Sequence, residues 1–428
     1  MGFPYARTDI ITSINCNQSY LELNMSYTIL DALNLEAYLF SLPKIKAFFD
    51  TDSLIINEIG DGNLNFVFLV TSSSDSSRQL IIKQAVPYLR CVGESYPLSK
   101  ERMTYEIRSL EYFATLSPHI PKIYHSDEEM SVLIMEYLSS HIIMRKGMIE
   151  GIEYPKFAEH ISTFLANTLF KSSSLYLSSA DKRTLISQFI ANSELCKLTE
   201  DFVFTAPFME DETNAELPEL SDIAQRIADD VELKTKILQL KYKFMNQSDA
   251  LLHGDLHTGS IMINQDETYV IDSEFAFVGP MGFDVGALIA NLVMSWVSHT
   301  TQDNDSNYSD LILETINSVW QRFDEKFRVL WNEREKSALL TKGFANDEIL
   351  ATYQEQYMQT LLQESIGFAG CKIIRRQFGI AGVEDIRGIK NNAIREKANQ
   401  LAIEIGERFI KQYHTVIHTD DIMKLVRD

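Results

Sequence analysis

Two acidic segments, His253-Gly254-Asp255-Leu256-His257 and Asp272-Ser273-Glu274, constrain this chain more than anything else in it. Leu251-Leu252 precede the first, and the short apolar run Ile261-Met262-Ile263 follows it. Asn264-Gln265-Asp266-Glu267 then predicts a turn, after which Tyr269-Val270-Ile271 runs straight into Asp272. The pattern reads as a loop, a small β-hairpin, and a second acidic loop at the hairpin's far end. A hairpin returns the chain to its start, so Asp255 should lie near Asp272 and Glu274. One carboxylate can then receive a hydroxyl proton while the other two hold Mg2+, as phosphoryl transfer requires. An acidic surface hairpin is the plain alternative. The apolar flanks, which bury the loop bases, argue against it.

A chain of 428 residues is too long for one ordinary core, so two or three domains or lobes are expected. Against 39 Lys and Arg stand 60 Asp and Glu, a net charge of −21 that repels nucleic acid and anionic membrane surfaces. The four cysteines, Cys16, Cys91, Cys196 and Cys371, show no metal-ligand spacing and fit reduced thiols. The first residues lack an apolar signal core, and the longest apolar stretch, about 285–297, is shorter than the ~20 residues of a membrane span. These features predict a soluble, cytoplasmic protein with neither nucleic acid nor membrane as partner.

Apolar positions at helical spacing run from Tyr38 to Phe49 around Pro43, and strand-like runs follow at 54–56, 66–70 and 80–83. The serine-rich stretch 72–77 predicts a hairpin loop, and Ser99 a helix N-cap before the face Met103, Ile107, Leu110, Ala114. Val132-Leu133-Ile134-Met135 reads as another buried strand, and beyond about 140 the pattern is mainly helical. A β-rich first third joined to a larger helical part predicts an α+β chain of two lobes with a cleft between them.

Several smaller features admit two readings each. Gly60-Asp61-Gly62 can bring backbone N–H groups to phosphate or make an ordinary hairpin turn. Lys83 either snorkels at a strand end or reaches the cleft, where Glu106 could pair with it. Asp284 predicts a helix cap before 287–297 that could also brace the Asp255 loop. Arg375-Arg376 is either an oxyanion and polyol grip or a solvated pair at a helix end. His253 and His257 are spaced i,i+4, but the turn-like sequence between and after them argues against zinc, and His253 more naturally supports the loop.

Assembled in order, these pieces resemble the protein-kinase-like fold, and the His-Gly-Asp loop resembles that of choline and aminoglycoside kinases. Longer segments are similar to the S-methyl-5-thioribose kinase family. They include Asp61-Gly62-Asn63-Leu64-Asn65, Lys83-Gln84-Ala85-Val86-Pro87-Tyr88, His257-Thr258-Gly259-Ser260-Ile261, Glu274-Phe275-Ala276-Phe277 and Gly367-Phe368-Ala369-Gly370 with Arg375-Arg376. The resemblance implies a small β-rich N-lobe over residues 1–137, with a five-stranded sheet and one helix, and a mainly helical C-lobe over 138–428. It implies ATP and Mg2+ as cofactors and transfer of the γ-phosphate to the 1-hydroxyl of methylthioribose, in methionine salvage. Asp255 would be the catalytic carboxylate. Asn65, Lys83 with its partner Glu106, and the linker Glu136-Tyr137-Leu138 would serve the nucleotide. Asp272 and Glu274 would ligate the metal, with Ser273 between them in the same segment, and Arg375 and Arg376 would grip the sugar. A homodimer is also implied. Two departures are visible: Ser260 stands where broader kinases place a metal-binding Asn, and Tyr96 where the family has Trp.

The rival readings are a choline- or aminoglycoside-type kinase, with Trp320 and Trp331 as a possible cage for a cationic substrate, and a non-catalytic ATP-binding scaffold. Paired arginines near the acceptor would disfavour the first, and the intact set Lys83, Asp255, Asp272, Glu274 the second.

Overall fold

Pro43 cannot accept a helix from its N-terminal side, and it divides the first helical stretch in two. The computed structural model describes residues 27–428 except 60–63, 90–92, 216, 303–305, 335–336, 340, 342 and 380. It has α1 at Leu35–Ser41 and α2 at Pro43–Phe49, with Pro43 opening the second helix. Strands β1 (Leu54–Glu58), β2 (Asn65–Ser72) and β3 (Gln79–Ala85) come next, then the short pair β4 (Tyr88–Leu89) and β5 (Gly93–Pro97). Helix α3 (Arg102–Ala114) leads to β6 (Ile123–Asp127) and β7 (Val132–Glu136).

The main sheet is antiparallel, in the order β1-β2-β3-β7-β6. Alternation along each strand gives it two apolar faces. On one, Phe68, Val70, Leu80, Ile82, Val132 and Ile134 form a small core with Leu35, Tyr38, Leu39 and Phe49 of the first two helices. Ala85, Leu133 and Met135 instead join Ile107, Leu110 and Phe113 of α3 in the larger core. Lys83 lies in register with Leu133 and so faces α3 as well.

Beyond β7 come β8 (Ile142–Ile143) and helices α4 (Met144–Ile149), α5 (Phe157–Lys171), α6 (Ser179–Phe189) and α7 (Ser193–Phe202). Then follow α8 (Ser221–Asp229) and α9 (Val231–Asn246). Four short strands interrupt the helices: β9 (Ala250–Leu252), β10 (Ile261–Ile263), β11 (Thr268–Val270) and β12 (Phe277–Gly279). The pairing of β10 with β11 makes the predicted hairpin, with Ile261 opposite Val270. Strand β9 pairs with β12, so both acidic loops spring from one small platform.

Helices α10 (Gly282–Thr301), α11 (Ser306–Asn332), α12 (Asp347–Phe378), α13 (Glu384–Arg387), α14 (Asn392–Gln412) and α15 (Thr419–Arg427) complete the chain. Helix α10 is buried along almost its whole length, as an all-round apolar helix must be. Small residues let α12 approach its neighbours at backbone distance. A Cβ on Gly286 would stand 2.3 Å from Ser365 O of α12, and one on Gly370 2.7 Å from Gly406 O of α14. The protein is thus α+β, with a small β-rich lobe and a larger, mainly helical one. Among the described residues no helix is long and apolar enough to cross a membrane.

Three local expectations need correction. Ser99 is not the N-cap of α3, which begins at Arg102. Its hydroxyl accepts from Glu101 N–H in the preceding turn, while its carbonyl takes the Arg102 guanidinium at 2.7 Å. Asp284 lies inside the first turn of α10 rather than before it, so it caps nothing there. Trp320 and Trp331 are core side chains, Trp331 fully enclosed beside Phe327 and Tyr357, and they form no cage.

Candidate active site

The Asp255 loop owes its shape to Gly254 and to groups outside the loop. Gly254 sits at φ +84°, and a Cβ there would lie 2.1 Å from Phe275 O, so only glycine fits. Asp284, from α10, accepts His253 N–H at 2.6 Å and Gly254 N–H at 3.0 Å. The brace reading of Asp284 therefore holds, and the carboxylate fixes two backbone donors that would otherwise be orphaned. His253 Nδ1 accepts the Asp255 N–H at 3.3 Å, which leaves the ring proton on Nε2 to donate to Ile271 O at 2.8 Å. One histidine thereby ties the first acidic loop to the residue preceding the second.

Asp255 itself is held on both oxygens. Lys372 Nζ lies 2.8 Å from Oδ1, and His257 Nε2 lies 3.4 Å from Oδ2. Gly259 N–H donates to His257 Nδ1, so the proton of that ring is on Nε2 and points at Asp255. Burial pushes the Asp255 carboxyl up, but Lys372, His257 and Arg376 outweigh it and hold the group well below its usual range. His257 goes the opposite way: burial pulls it down to about 4 despite Asp255. At neutral pH the pair is a carboxylate accepting from a neutral imidazole. Ser260 closes the loop, its hydroxyl donating to Asp255 O at 3.0 Å and accepting from His257 N–H at 3.0 Å.

Arg375 and Arg376 occupy the last turn of α12 and are buried, not solvated. Arg376 donates to Ala381 O at 3.1 Å, whereas the buried Arg375 Nε has no partner among the described residues. Burial lowers both guanidinium groups, and both are close enough to Asp255 to feel its charge. Behind them Arg145 of α4 donates to Asn291 at 3.0 Å and pairs with Asp385 at 3.3 Å. Lys372, Arg375 and Arg376 share one helical face at i, i+3 and i+4. Lys372 was missed in the sequence, although its spacing to the Arg pair was there to find it. Nothing local could reveal that its partner lies 117 residues earlier.

The second loop faces the sheet. Asp272 adopts a left-handed φ of +65°, and its side chain stays half exposed while its Oδ1 meets Lys83 at close range. Lys83 Nζ also lies 2.7 Å from Glu106 Oε1. Burial pulls Lys83 down, but the Asp272, Glu106 and Glu274 carboxylates together raise it, so it stays charged. Burial pushes Glu106 up, against the pull of Lys83. Glu274 Oε2 accepts from Asn65 Nδ2 at 3.1 Å and lies 3.4 Å from Arg102 Nε. Asn192 clamps the same loop by donating to Glu274 O and Ala276 O, each at 2.9 Å.

Arg102, also unforeseen, is buried and donates to Val86 O, Ser99 O, Leu64 O and Asn65 Oδ1. The Ser273 hydroxyl lies 2.7 Å from that of Ser109 on α3 and so ties the second loop to that helix. In the linker, Glu136 Oε2 accepts from Lys122 N–H at 3.2 Å, and Tyr137 O and Leu138 O accept from Ser139 and His141 N–H. Gly60 to Asn63, and the side chain of Tyr96, lie outside the described residues.

A cleft that sets a strand lysine and its helix glutamate against one acidic loop, and a braced carboxylate against cations, is that of a kinase-like phosphotransferase. Residues 55–314 match the profile of the phosphotransferase enzyme family. Methylthioribose kinase 1 of Oryza sativa subsp. japonica is 43% identical over 394 residues, 89% of this chain and 91% of that protein. The methylthioribose kinase of Bacillus cereus (strain AH820) is 42% identical over 364 residues, 84% and 87% of the two chains. Among solved structures, a Plasmodium vivax ethanolamine kinase aligns over 86% of each chain with a TM-score of 0.44 and 13% identity. The chain belongs to the methylthioribose kinases within the phosphotransferase enzyme family.

Proposed function

We propose that the protein transfers the γ-phosphate of ATP to the 1-hydroxyl of S-methyl-5-thioribose, giving the 1-phosphate, as a step of methionine salvage. The carrying observation is the ionised, doubly held Asp255 beside Arg375 and Arg376, in a chain 42–43% identical to methylthioribose kinases over most of its length. Asp255 orients the sugar hydroxyl and takes its proton. Arg375, with a buried N–H that no described residue claims, and Arg376 bind sugar oxygens and the transferring phosphoryl group. Lys83, fixed by Glu106, neutralises ATP phosphates. The linker supports adenine binding, since Leu138 N–H has no hydrogen-bond partner among the described residues. Asn65 reaches the phosphate side of the same cleft through its bond to Glu274.

Mg2+ fits the second loop. Asp272 Oδ2 and Glu274 Oε1 are hard oxygen donors that no described residue engages, and Mg2+ is commonly held by one or two carboxylates plus phosphates. Among the described residues no cluster of three or more His, Cys, Asp or Glu could hold a metal without such phosphates. When bound, Mg2+ would neutralise charge on the β- and γ-phosphates.

The lobe boundary falls at the linker, with 1–137 and 138–428 as the two lobes. We further propose a cytoplasmic homodimer, the dimer resting on family resemblance and open to sizing by light scattering. A panel of methylthioribose, ribose, choline and an aminoglycoside, assayed for ATP-dependent phosphorylation, tests the substrate. Methylthioribose should be turned over at least about tenfold faster than the others, a margin that pocket contacts can supply. Preference for choline or the aminoglycoside would overturn the reading.

A further inference from the structure

We propose that Lys372 is a positioning residue of the transfer reaction: it grips Oδ1 of Asp255, keeps that carboxylate ionised, and so aims Oδ2, where His257 takes one lone pair, to receive the acceptor hydroxyl on the other. The inference rests on the phosphotransfer reading above. Lys372 is 3% exposed, and Asp255 Oδ1 is its one hydrogen-bond acceptor among the described residues. Its ammonium otherwise rests over the Phe283 ring, 4.5 Å from the centroid. A second buried lysine provides the contrast. Lys182 gives its protons to two backbone carbonyls, Ser172 O at 3.0 Å and Asp249 O at 2.8 Å, and so holds the fold together. Lys372 holds no backbone, and its side chain is committed to the reactive carboxylate.

In the transfer step the sugar O–H proton passes to Asp255 Oδ2. The sugar oxygen bonds to the γ-phosphorus as the bond from that phosphorus to the β,γ-bridging oxygen breaks, and the electron pair leaves with ADP. Lys372 keeps its proton throughout. Without it, the buried carboxylate would take up a proton or turn to the neighbouring guanidinium groups, and in either case lose its aim.

The groups that face Lys372 are Asp255 and His257 from the loop after β9, Asp284 from α10, Arg375 and Arg376 from its own helix, and Arg145 behind them. The neighbouring faces of α9 and α14 are apolar here, with Leu240 against Gly367 and Ile410 against Gly370. Burial pulls Lys372 down to about 8, Asp255 opposes this, and Arg375 and Arg376 add to it. Lys372 is therefore charged below about pH 8 and loses its proton as pH rises through that value, taking the anchor of Asp255 with it.

Lys372→Met and Lys372→Arg, each checked for folding by thermal melting, test the proposal in the full-length enzyme. The Met variant should lose at least about a hundredfold in kcat, the scale of a displaced base, with KM for ATP little changed. The Arg variant should recover much of that loss and move the alkaline limb of kcat to higher pH. Near-normal kcat in the Met variant overturns the proposal, as does an Arg variant that fails as badly as Met with the limb unmoved. A second measurement needs no acceptor: carbon-13 NMR of the Asp255 carboxyl should show its midpoint rising by about one unit or more in Lys372→Met. An unmoved midpoint overturns the idea even if methylthioribose proves not to be the substrate. A wild-type enzyme that ignores methylthioribose while the midpoint does move sinks only the substrate reading.

Discussion

Asp255 and His257 show how far one residue's environment departs from its type. The carboxylate is held low by cations and cannot be a strong base in the ground state, so in the proposed transfer it would orient the hydroxyl and take the proton late. Asp255→Asn keeps the shape and loses the charge. Its kcat should fall by about a hundredfold or more, measured by coupled ADP release. His257 folds as a neutral ring whose value is depressed to about 4. A depressed histidine contributes stability above its unfolded value near 6.5, and that contribution is lost as pH falls from there toward about 4. The stability advantage of wild type over His257→Gln should therefore shrink between pH 6.5 and 4 in urea titrations. A constant difference would count against a neutral His257. At this scale the sequence was legible for the pairing of Lys83 with Glu106, whose types and order along strand and helix announce it. It was silent on Lys372 and Arg102, whose partners lie far along the chain.

Among the elements, α12 carries the most consequence. Its two glycine contacts set it against α10 and α14 at backbone distance, and the turn after Gly370 presents Lys372 and the Arg pair to the Asp255 loop. Gly370→Val would force α14 away. It should cost about 1–3 kcal/mol by overpacking and lower kcat more than ATP affinity, read by melting and by steady-state kinetics. The Gly254 turn is stricter. Gly254→Ala puts a Cβ into Phe275 O at a left-handed φ, and the variant should lose stability by about 1–3 kcal/mol from strain alone. The hairpin and the sheet strands were readable because alternation and turn residues are local signals. Ser99 and Asp284 were misplaced as caps because a serine or aspartate before an apolar run looks the same whether it serves the helix or a distant loop. The burial of Arg375 and Arg376 was equally hidden, since composition does not tell what packs over a helix end.

At the scale of the whole molecule the two lobes meet through charge. Lys83, paired behind with Glu106, reaches Asp272, while Arg102 and Asn65 reach Glu274, so the sheet lobe and the acidic loop share an ionic seam. Arg102→Met removes one partner and leaves Glu274 with a buried charge. The loss should be about 3–5 kcal/mol, seen as a lower denaturant midpoint, and added Mg-ATP should restore part of it. The two-lobed plan was legible from the order of strand runs and helical periods. The seam was not, because it joins residues of opposite ends of the fold.

Arg102 binds Leu64 O, Asn65 and Val86 O on one side of the cleft and Glu274 on the other. The two halves are consequently matched to each other at this one charge. A recombinant that grafted this sheet lobe onto the helical half of a different kinase would bring along a guanidinium expecting a carboxylate at one spot. Unless the recipient supplied it, the graft would misfold or splay open, however well its own chemistry was preserved.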